Sequence, residues 1–395
     1  MWRTAALVSL ALATPYGAAA QAPLVVGAAL PQSGLYADLA AGYGKALLLW
    51  QDEVNAAGGL LGRRVELRIL DDGSQAVRAG ALYEKLIREE KADLLIGPYG
   101  SAATLGAAAA AERARRVLVN GAGALRAVHK RSPRYVFQVA PPYTAYGAGV
   151  LELARGQGLK TLFVLARSDP ASREMAQALR EAAVPLGLAA SDLEVYGTGT
   201  SDFAPQVEKA RAARADAWIA FGEVRDAAEM VKTFKRLGYA PKLFFAQGAA
   251  DPKFVALVGQ DAEYALGLAE YDKGLATSGN DAFVKAYGAK WSSEPGLAAA
   301  QGYAAAKVAE EALKRAGSTD QERVRDALAA LETETVLGRY KVDAASGEQL
   351  AAKPAVVQIV RGRREVVWPP GLATVRQVLP YAPWGERKLL QPGSS

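Results

Sequence analysis

The side chains able to run a reaction are few. The chain has 395 residues, one histidine and no cysteine. The histidine, His129, lies in LRAVHKRSP beside Lys130 and Arg131. Two adjacent cations disfavour a bound metal, so the segment reads as surface and no metal site is expected. A Ser-His-Asp triad would have to use this same residue. No G-x-S-x-G elbow precedes a helix; Gly97-Pro98-Tyr99-Gly100-Ser101 matches it loosely. GAGALR at 121–126 begins like a dinucleotide fingerprint but has Arg126 at the third glycine position, and no Walker lysine motif occurs. Asp71-Asp72 is the one adjacent pair considered for glycosidase chemistry, and it reads as a helix-capping turn. Binding chemistry is better supplied. LLIGPYGSAATLG at 94–106 delivers Ser101 and the N–H groups of Ala102 and Ala103 to a helix start, a natural anion site. Asn120-Gly121-Ala122-Gly123 offers backbone donors with little side chain in the way.

These turns need elements to place them. Pro23–Leu30 reads as a strand, followed by a helix over 40–57 with Tyr43, Leu47, Trp50 and Val54 on one face. Strand 64–70, helix 75–90, strand 93–96, helix 102–115 and strand 117–120 follow. Such βαβα order implies a parallel sheet covered by helices on both faces. The pattern restarts at 135–139 and runs through strands near 161–166, 193–196, 217–221 and 243–246, with helices between them. A strand at 265–269, helices at 280–291, 297–316 and 321–331, and a tail of short strands with a hairpin at Arg361-Gly362-Arg363 complete the chain. Two doubly wound α/β units facing each other would place a site in the cleft between them, outside the carboxyl ends of the strands.

Composition narrows the class. Apolar residues make up 51% and charged residues 22% of the chain, enough to build cores. MWRTAALVSLALATPYGAAAQAP has the order of a secretory leader, with cleavage expected near Ala20 or Ala22. Without cysteine there is neither a disulfide nor a lipid-anchored cysteine, which favours a periplasm. The net charge of +6 is spread among acids and its arginine clusters lack interleaved aromatics. No nucleic-acid partner is expected.

The chain resembles the type I periplasmic solute-binding proteins of the leucine/isoleucine/valine-binding family, which serve ABC importers. The stretch VGAALPQSGLYADLAAGYGKALLLWQDEVNAAGGLLGRRVELRILDD is similar to the family's opening, IGPYGSAAT to its second ligand turn, and RLGYAPKLFFAQG to a second-lobe helix–loop–strand. The resemblance implies a fold of two doubly wound α/β lobes joined by three crossovers. It also implies ligand contacts at Tyr36, Tyr99, Ser101 and Ala102, with Ala122 and Ala124 in the turn that completes a carboxylate clamp. From the second lobe it implies Glu223 and Gln247, together with Tyr143 and Tyr146 near the first crossover. This sequence departs from the pattern: Ala124 replaces the usual Thr or Ser, Ala171-Ser172 replaces Tyr-Gly, Glu223 stands where an aromatic is frequent, and Gln247 stands where amino-acid binders carry a glutamate.

The expected organisation is a leader over 1–22, lobe one from 23–141 plus 271–337, and lobe two from 142–270 plus 338–395. The expected function is the binding component of an importer for a small carboxylate- or amide-bearing solute, amino-acid-like or an aromatic or organic acid. No cofactor is expected. The expected partners are the solute and an inner-membrane ABC permease, and a monomer is expected. Two alternatives stay open: an exported hydrolase or nicotinamide-dependent oxidoreductase on the same scaffold, and a sensory module that hands its closed state to a receptor.

Overall fold

The structure, a computed structural model, describes residues 21–386. All but the last two residues of the expected leader lie outside the described residues. The chain begins with β1 (Leu24–Leu30), α1 (Ala37–Ala56), β2 (Val65–Asp71), α2 (Ala79–Arg88), β3 (Leu94–Ile96), α3 (Ser101–Ala114), β4 (Leu118–Asn120) and β5 (Val136–Gln138). Their sheet is parallel throughout, in the order β2-β1-β3-β4-β5. Its short strands read LLI, LVN and VFQ and are buried on both sides, as parallel strands between two helical layers must be.

A second run follows: α4 (Ala148–Gly156), β6 (Thr161–Arg167), α5 (Pro170–Ala183), β7 (Ala189–Ala190), β8 (Glu194–Tyr196), α6 (Ala204–Ala212) and β9 (Ala217–Phe221). It continues with α7 (Val224–Arg236), β10 (Leu243–Ala246), α8 (Lys253–Val258) and β11 (Leu266–Ala269). The chain then gives α9 (Asn280–Trp291), α10 (Leu297–Ala316), α11 (Gln321–Ala330), the hairpin β12 (Thr333–Thr335) and β13 (Gly338–Tyr340), and finally β14 (Ala355–Val360) and β15 (Arg363–Trp368). The second sheet runs β15-β14-β11-β10-β9-β6-β7, with β8 also on β6. Its last two strands are antiparallel additions, joined through Arg361 and Gly362, both at positive φ.

Alternation assigns the layers. In β9 (AWIAF), Ile219 and Phe221 pack with Val164, Phe245 and Leu179 of α5 on one side. Trp218 packs with Phe163, Phe234 and Phe244 on the other. In the first core, Tyr43, Leu47 and Trp50 of α1 meet the alanines of α10. The approach is close because Gly302 has no side chain: a Cβ there would lie 2.7 Å from the Tyr43 carbonyl oxygen. Trp50 Nε1 donates to Glu310 at 3.0 Å, and Lys307 and Lys314 neutralise that buried carboxylate.

Because α9, α10 and α11 pack in the first core while β14 and β15 join the second sheet, the chain crosses three times. The crossings fall between β5 and β6, between β11 and α9, and between β13 and β14. This is the two-lobed α/β architecture expected from the resemblance. No helix of the described residues is long and apolar enough to cross a membrane.

Candidate functional site

In the first sheet β1 is followed by β2 on one side and β3 on the other, so the strand order reverses between β1 and β3. The turns after these two strands therefore diverge and leave a crevice. A pocket of about 200 Å³ lies there, lined by Tyr36, Asp72, Ser74, Tyr99, Ser101 and Ala102 among others. Ser101, Ala102 and Ala103 open α3 with no side-chain cap, so their N–H groups face the crevice end of the helix. Tyr36 is 47% exposed and Tyr99 packs edge-on against Tyr43.

The acidic pair does not cap a helix, contrary to expectation. Asp71 accepts from the N–H groups of Gln32, Ser33 and Gly73 and from the Ser33 hydroxyl, which ties the β1 turn to the β2 turn. The Ser33 hydroxyl and these N–H groups hold the Asp71 carboxyl down at about 2. Asp72 accepts from Ser74 N, while the helical turn at Ala76–Arg78 has no side-chain cap.

The turn after β4 is also not free in the way expected. Asn120, fully buried, bonds the Ala122 N–H, the Gly123 N–H and the Gly123 carbonyl. Ala124 N and Leu125 N donate to Ser101 Oγ at 3.0 and 3.3 Å, and the Ala124 carbonyl accepts from Tyr143 N. The turn is thus a rigid brace for Ser101. With its oxygen accepting two backbone donors, the Ser101 hydroxyl directs its own proton toward the Tyr143 oxygen at the crevice.

The second sheet repeats the logic. Its order reverses between β6 and β9, and the residues leaving those strands meet: Arg167 Nη1 lies 2.7 Å from Glu223 Oε1. Glu223 is the N-cap of α7 in a capping box with Asp226. The Gln247 turn lies directly against it, since a Cβ on Gly248 would stand 2.3 Å from the Glu223 carbonyl carbon. Glu223, Gln247 and Glu270 line a cavity of about 630 Å³ whose far wall is Glu294–Leu297, at the start of α10. Both cores therefore border this space.

The structure divides the expected residues. Tyr36, Tyr99, Ser101 and Ala102 line the small pocket; Glu223 and Gln247 line the large cavity; Ala122, Ala124, Tyr143 and Tyr146 line neither. A link runs between the two groups. The Tyr143 hydroxyl lies beside Ser101, and its ring meets Tyr146 edge-on at 5.1 Å. Burial pushes the Tyr143 hydroxyl up to about 12, with the Glu270 carboxylate adding to the effect. Burial also raises Tyr99 and Tyr146, and Glu270 adds to both.

Glu270 was not anticipated from the sequence. It follows β11 at the second crossing and borders both the 630 Å³ cavity and another of about 520 Å³. Burial pushes its carboxyl up to about 7. The signal for it was slight: one acid after a short apolar strand, in AEYD.

His129 is not on the surface. It is 3% exposed, and its Nδ1 lies 2.7 Å from the Ser346 carbonyl oxygen. Burial lowers its pKa, so the ring is neutral and donates through Nδ1. Among the described residues no group of three or more His, Cys, Asp or Glu is arranged to hold a metal ion.

Comparison with known proteins gives the family and the fold. The sequence profile of the family described as "Periplasmic binding protein" matches residues 23–364. An amino acid binding protein of Pseudomonas aeruginosa is 23% identical over 348 residues, covering 85% of this chain and 91% of that one. An ABC transporter substrate-binding protein from Sphaerobacter thermophilus superposes with TM-score 0.75 at 22% identity, covering 92% of this chain and 99% of that one. An ABC transporter solute-binding protein from R. palustris, solved with benzoate, superposes with TM-score 0.67 at 22% identity, covering 88% and 96%.

Proposed function

Because this chain belongs to the periplasmic binding protein family, we propose that it is the substrate-binding component of an ABC importer. It captures a small polar solute between two lobes and releases it unaltered. The observation that carries this reading is the 630 Å³ cavity lined from one core by Glu223, Gln247 and Glu270 and from the other by Glu294–Leu297. A solute that touches both walls favours the closed state by the contacts it gains only there.

In this reading lobe one holds the solute's acidic or amide end at Ser101 and the start of α3, below Tyr36 and Tyr99. Glu223, Gln247, Tyr143 and Tyr146 complete the enclosure. Ala122 and Ala124 act through the brace on Ser101. The lobes are residues 23–141 plus 271–337 and residues 142–270 plus 338–395. Packing of Tyr340 and Val342 in the first core supports carrying the first lobe a few residues past 337. The protein acts after export to the periplasm, with residues 1–22 as the leader, and delivers its solute to an inner-membrane permease as a monomer. The P. aeruginosa relative named as an amino acid binding protein and the fold neighbour solved with benzoate both bear on the solute class. Neither decides it.

Mass spectrometry of compounds released by denaturing gently purified protein tests the proposal. A small solute that rebinds in stoichiometric amount and is recovered unchanged is expected. Conversion of that solute to a product would overturn it in favour of an enzyme.

A further inference from the structure

The positive charge of this protein is not spread evenly along the chain, contrary to expectation. Residues 111–135 hold seven cations, Arg113, Arg115, Arg116, Arg126, Lys130, Arg131 and Arg134, against one acid, Glu112. That excess equals the net charge of +6 of the whole chain, so all other acids and bases cancel. The fold gathers most of it on one face. α3 ends at Ala114, and Arg115 closes it in the left-handed region at φ 50°. The chain later returns along the same helix, with Val128 packed among Ala107, Ala108 and Ala111. It passes Lys130, Arg131 and Arg134 before β5, where the Tyr135 N–H donates to Glu112 in the last turn of α3. Arg115, Arg134 and Arg325 all lie near the Glu322 carboxylate. This is the edge where the strands of the first sheet begin, opposite the turns that carry Tyr36 and Ser101.

Some of these cations are spent. Arg113 is held by Glu84 at 2.6 Å and Arg134 by Glu322 at 3.8 Å. Arg126 lies at the upper end, near Glu348 and with its N–H bonded to Glu174. Arg115, Arg116, Lys130 and Arg131 have no ion pair among the described residues; Arg116 is half-buried and the other three are exposed. They line none of the cavities described above. We infer that this face of the first lobe docks on an acidic phospholipid surface. The choice of a membrane rests on the importer function proposed above, which brings the protein to a permease. Tyr135, the one aromatic in the segment, is 4% exposed, so no ring is free to stack on the bases of a nucleic acid. A lipid surface asks only for cations gathered on one side. The chain has no cysteine to carry a lipid, and charge gives a reversible alternative.

Each cation close to an acidic leaflet favours the bound state about fivefold, and the attraction decays within a Debye length of about 10 Å at 0.1 M salt. Unpaired cations on one face therefore act together, whereas the same charges scattered over the surface cannot all reach a bilayer at once. With the strand-start edge against the lipid, the cleft at the strand ends faces away from it and solute entry is unobstructed. Delivery then requires release from the lipid, which an attraction of this size permits.

The test is cosedimentation of the purified exported protein with vesicles of phosphatidylcholine alone and of phosphatidylcholine with about one-third phosphatidylglycerol, at about 50 mM and about 500 mM salt. Binding to the acidic vesicles at low salt is expected, weaker by about tenfold or more on neutral vesicles or at high salt. Arg115→Glu with Arg131→Glu is expected to weaken it by about tenfold or more. Arg363→Glu with Arg376→Glu makes the same charge change at exposed positions of the second lobe and is expected to change it by less than about threefold. If the first variant does not melt as a folded protein, Arg115→Gln with Arg131→Gln takes its place, with loss in the same direction. Equal loss from both lobes would mean that net charge alone acts, which overturns the inference. Failure to bind acidic vesicles, equal binding to neutral ones, or tighter binding to a DNA duplex overturns it as well. Each of these outcomes leaves the solute recovered from denatured protein to decide the importer reading by itself, so the two failures are distinguishable.

Discussion

Ser101 shows how one side chain is readied before a ligand arrives. Its oxygen is held by the N–H groups of Ala124 and Leu125, so rotation of the hydroxyl is restricted and its proton points away from them. Replacing it by alanine removes a donor from the crevice and leaves those two N–H groups short of an acceptor. Ser101→Ala is expected to weaken solute binding by about 1–3 kcal/mol in calorimetry. Unchanged affinity would remove Ser101 from the site. Glu270 sets a second expectation at this scale, independent of any ligand. Its carboxyl moves from an ordinary 4.5 to about 7 on folding. The folded state thus keeps a proton that the unfolded chain has given up. Its contribution to stability is full below about pH 4.5 and is lost as pH rises through 7, by on the order of 3 kcal/mol at most. Urea unfolding at pH 5 and pH 8 should show wild type losing more stability than Glu270→Gln over this range. Parallel profiles for the two proteins would mean that Glu270 is solvated.

The elements place these residues through strand order and close turns. At both switch points a parallel strand ends, its neighbour's chain departs the other way, and the loops part. The second-lobe wall depends on Gly248, because backbone atoms of Glu223 and Val224 occupy the space a Cβ needs. Gly248→Val must push the Gln247 turn off the α7 N-cap, since backbone cannot yield as a side chain can. A loss of about 1–3 kcal/mol in unfolding free energy is expected, with weaker solute binding. Gly156→Ala is the matched control: its Cβ meets nothing within 4 Å, and it should be neutral or mildly stabilising. Equal stability of the two variants would mean that the turn relaxes freely. These elements were legible in the sequence, since strands such as AWIAF and helices such as that around Trp50 carry their period openly. The use made of the turns was not. Asp71-Asp72 reads as a local cap, but Asp71 also binds the N–H groups of Gln32 and Ser33, 39 and 38 residues away.

For the whole molecule, two cores joined by three crossings leave hinge motion as the low-cost movement. Saturation with the solute is expected to reduce the radius of gyration in small-angle scattering. It should also stabilise the protein by about 2.7 kcal/mol at 100 times the dissociation constant. A thermal shift without contraction would mean binding without closure.

Sequence alone determined the two parallel α/β units, their repetition, the turns at the strand ends and the thinness of the catalytic inventory. These follow from hydrophobic period, glycine placement and residue type, which act over a few neighbouring positions. Tertiary structure decided which polar groups are spent and which are left over. His129 is buried although its neighbours are charged, because the distant Ser346 turn covers it. Glu270 titrates high because the tyrosines that converge on it from positions 99, 143 and 146 shield it and bring no positive charge. Burial and charge balance are sums over everything packed around a group, and those neighbours are scattered along the chain.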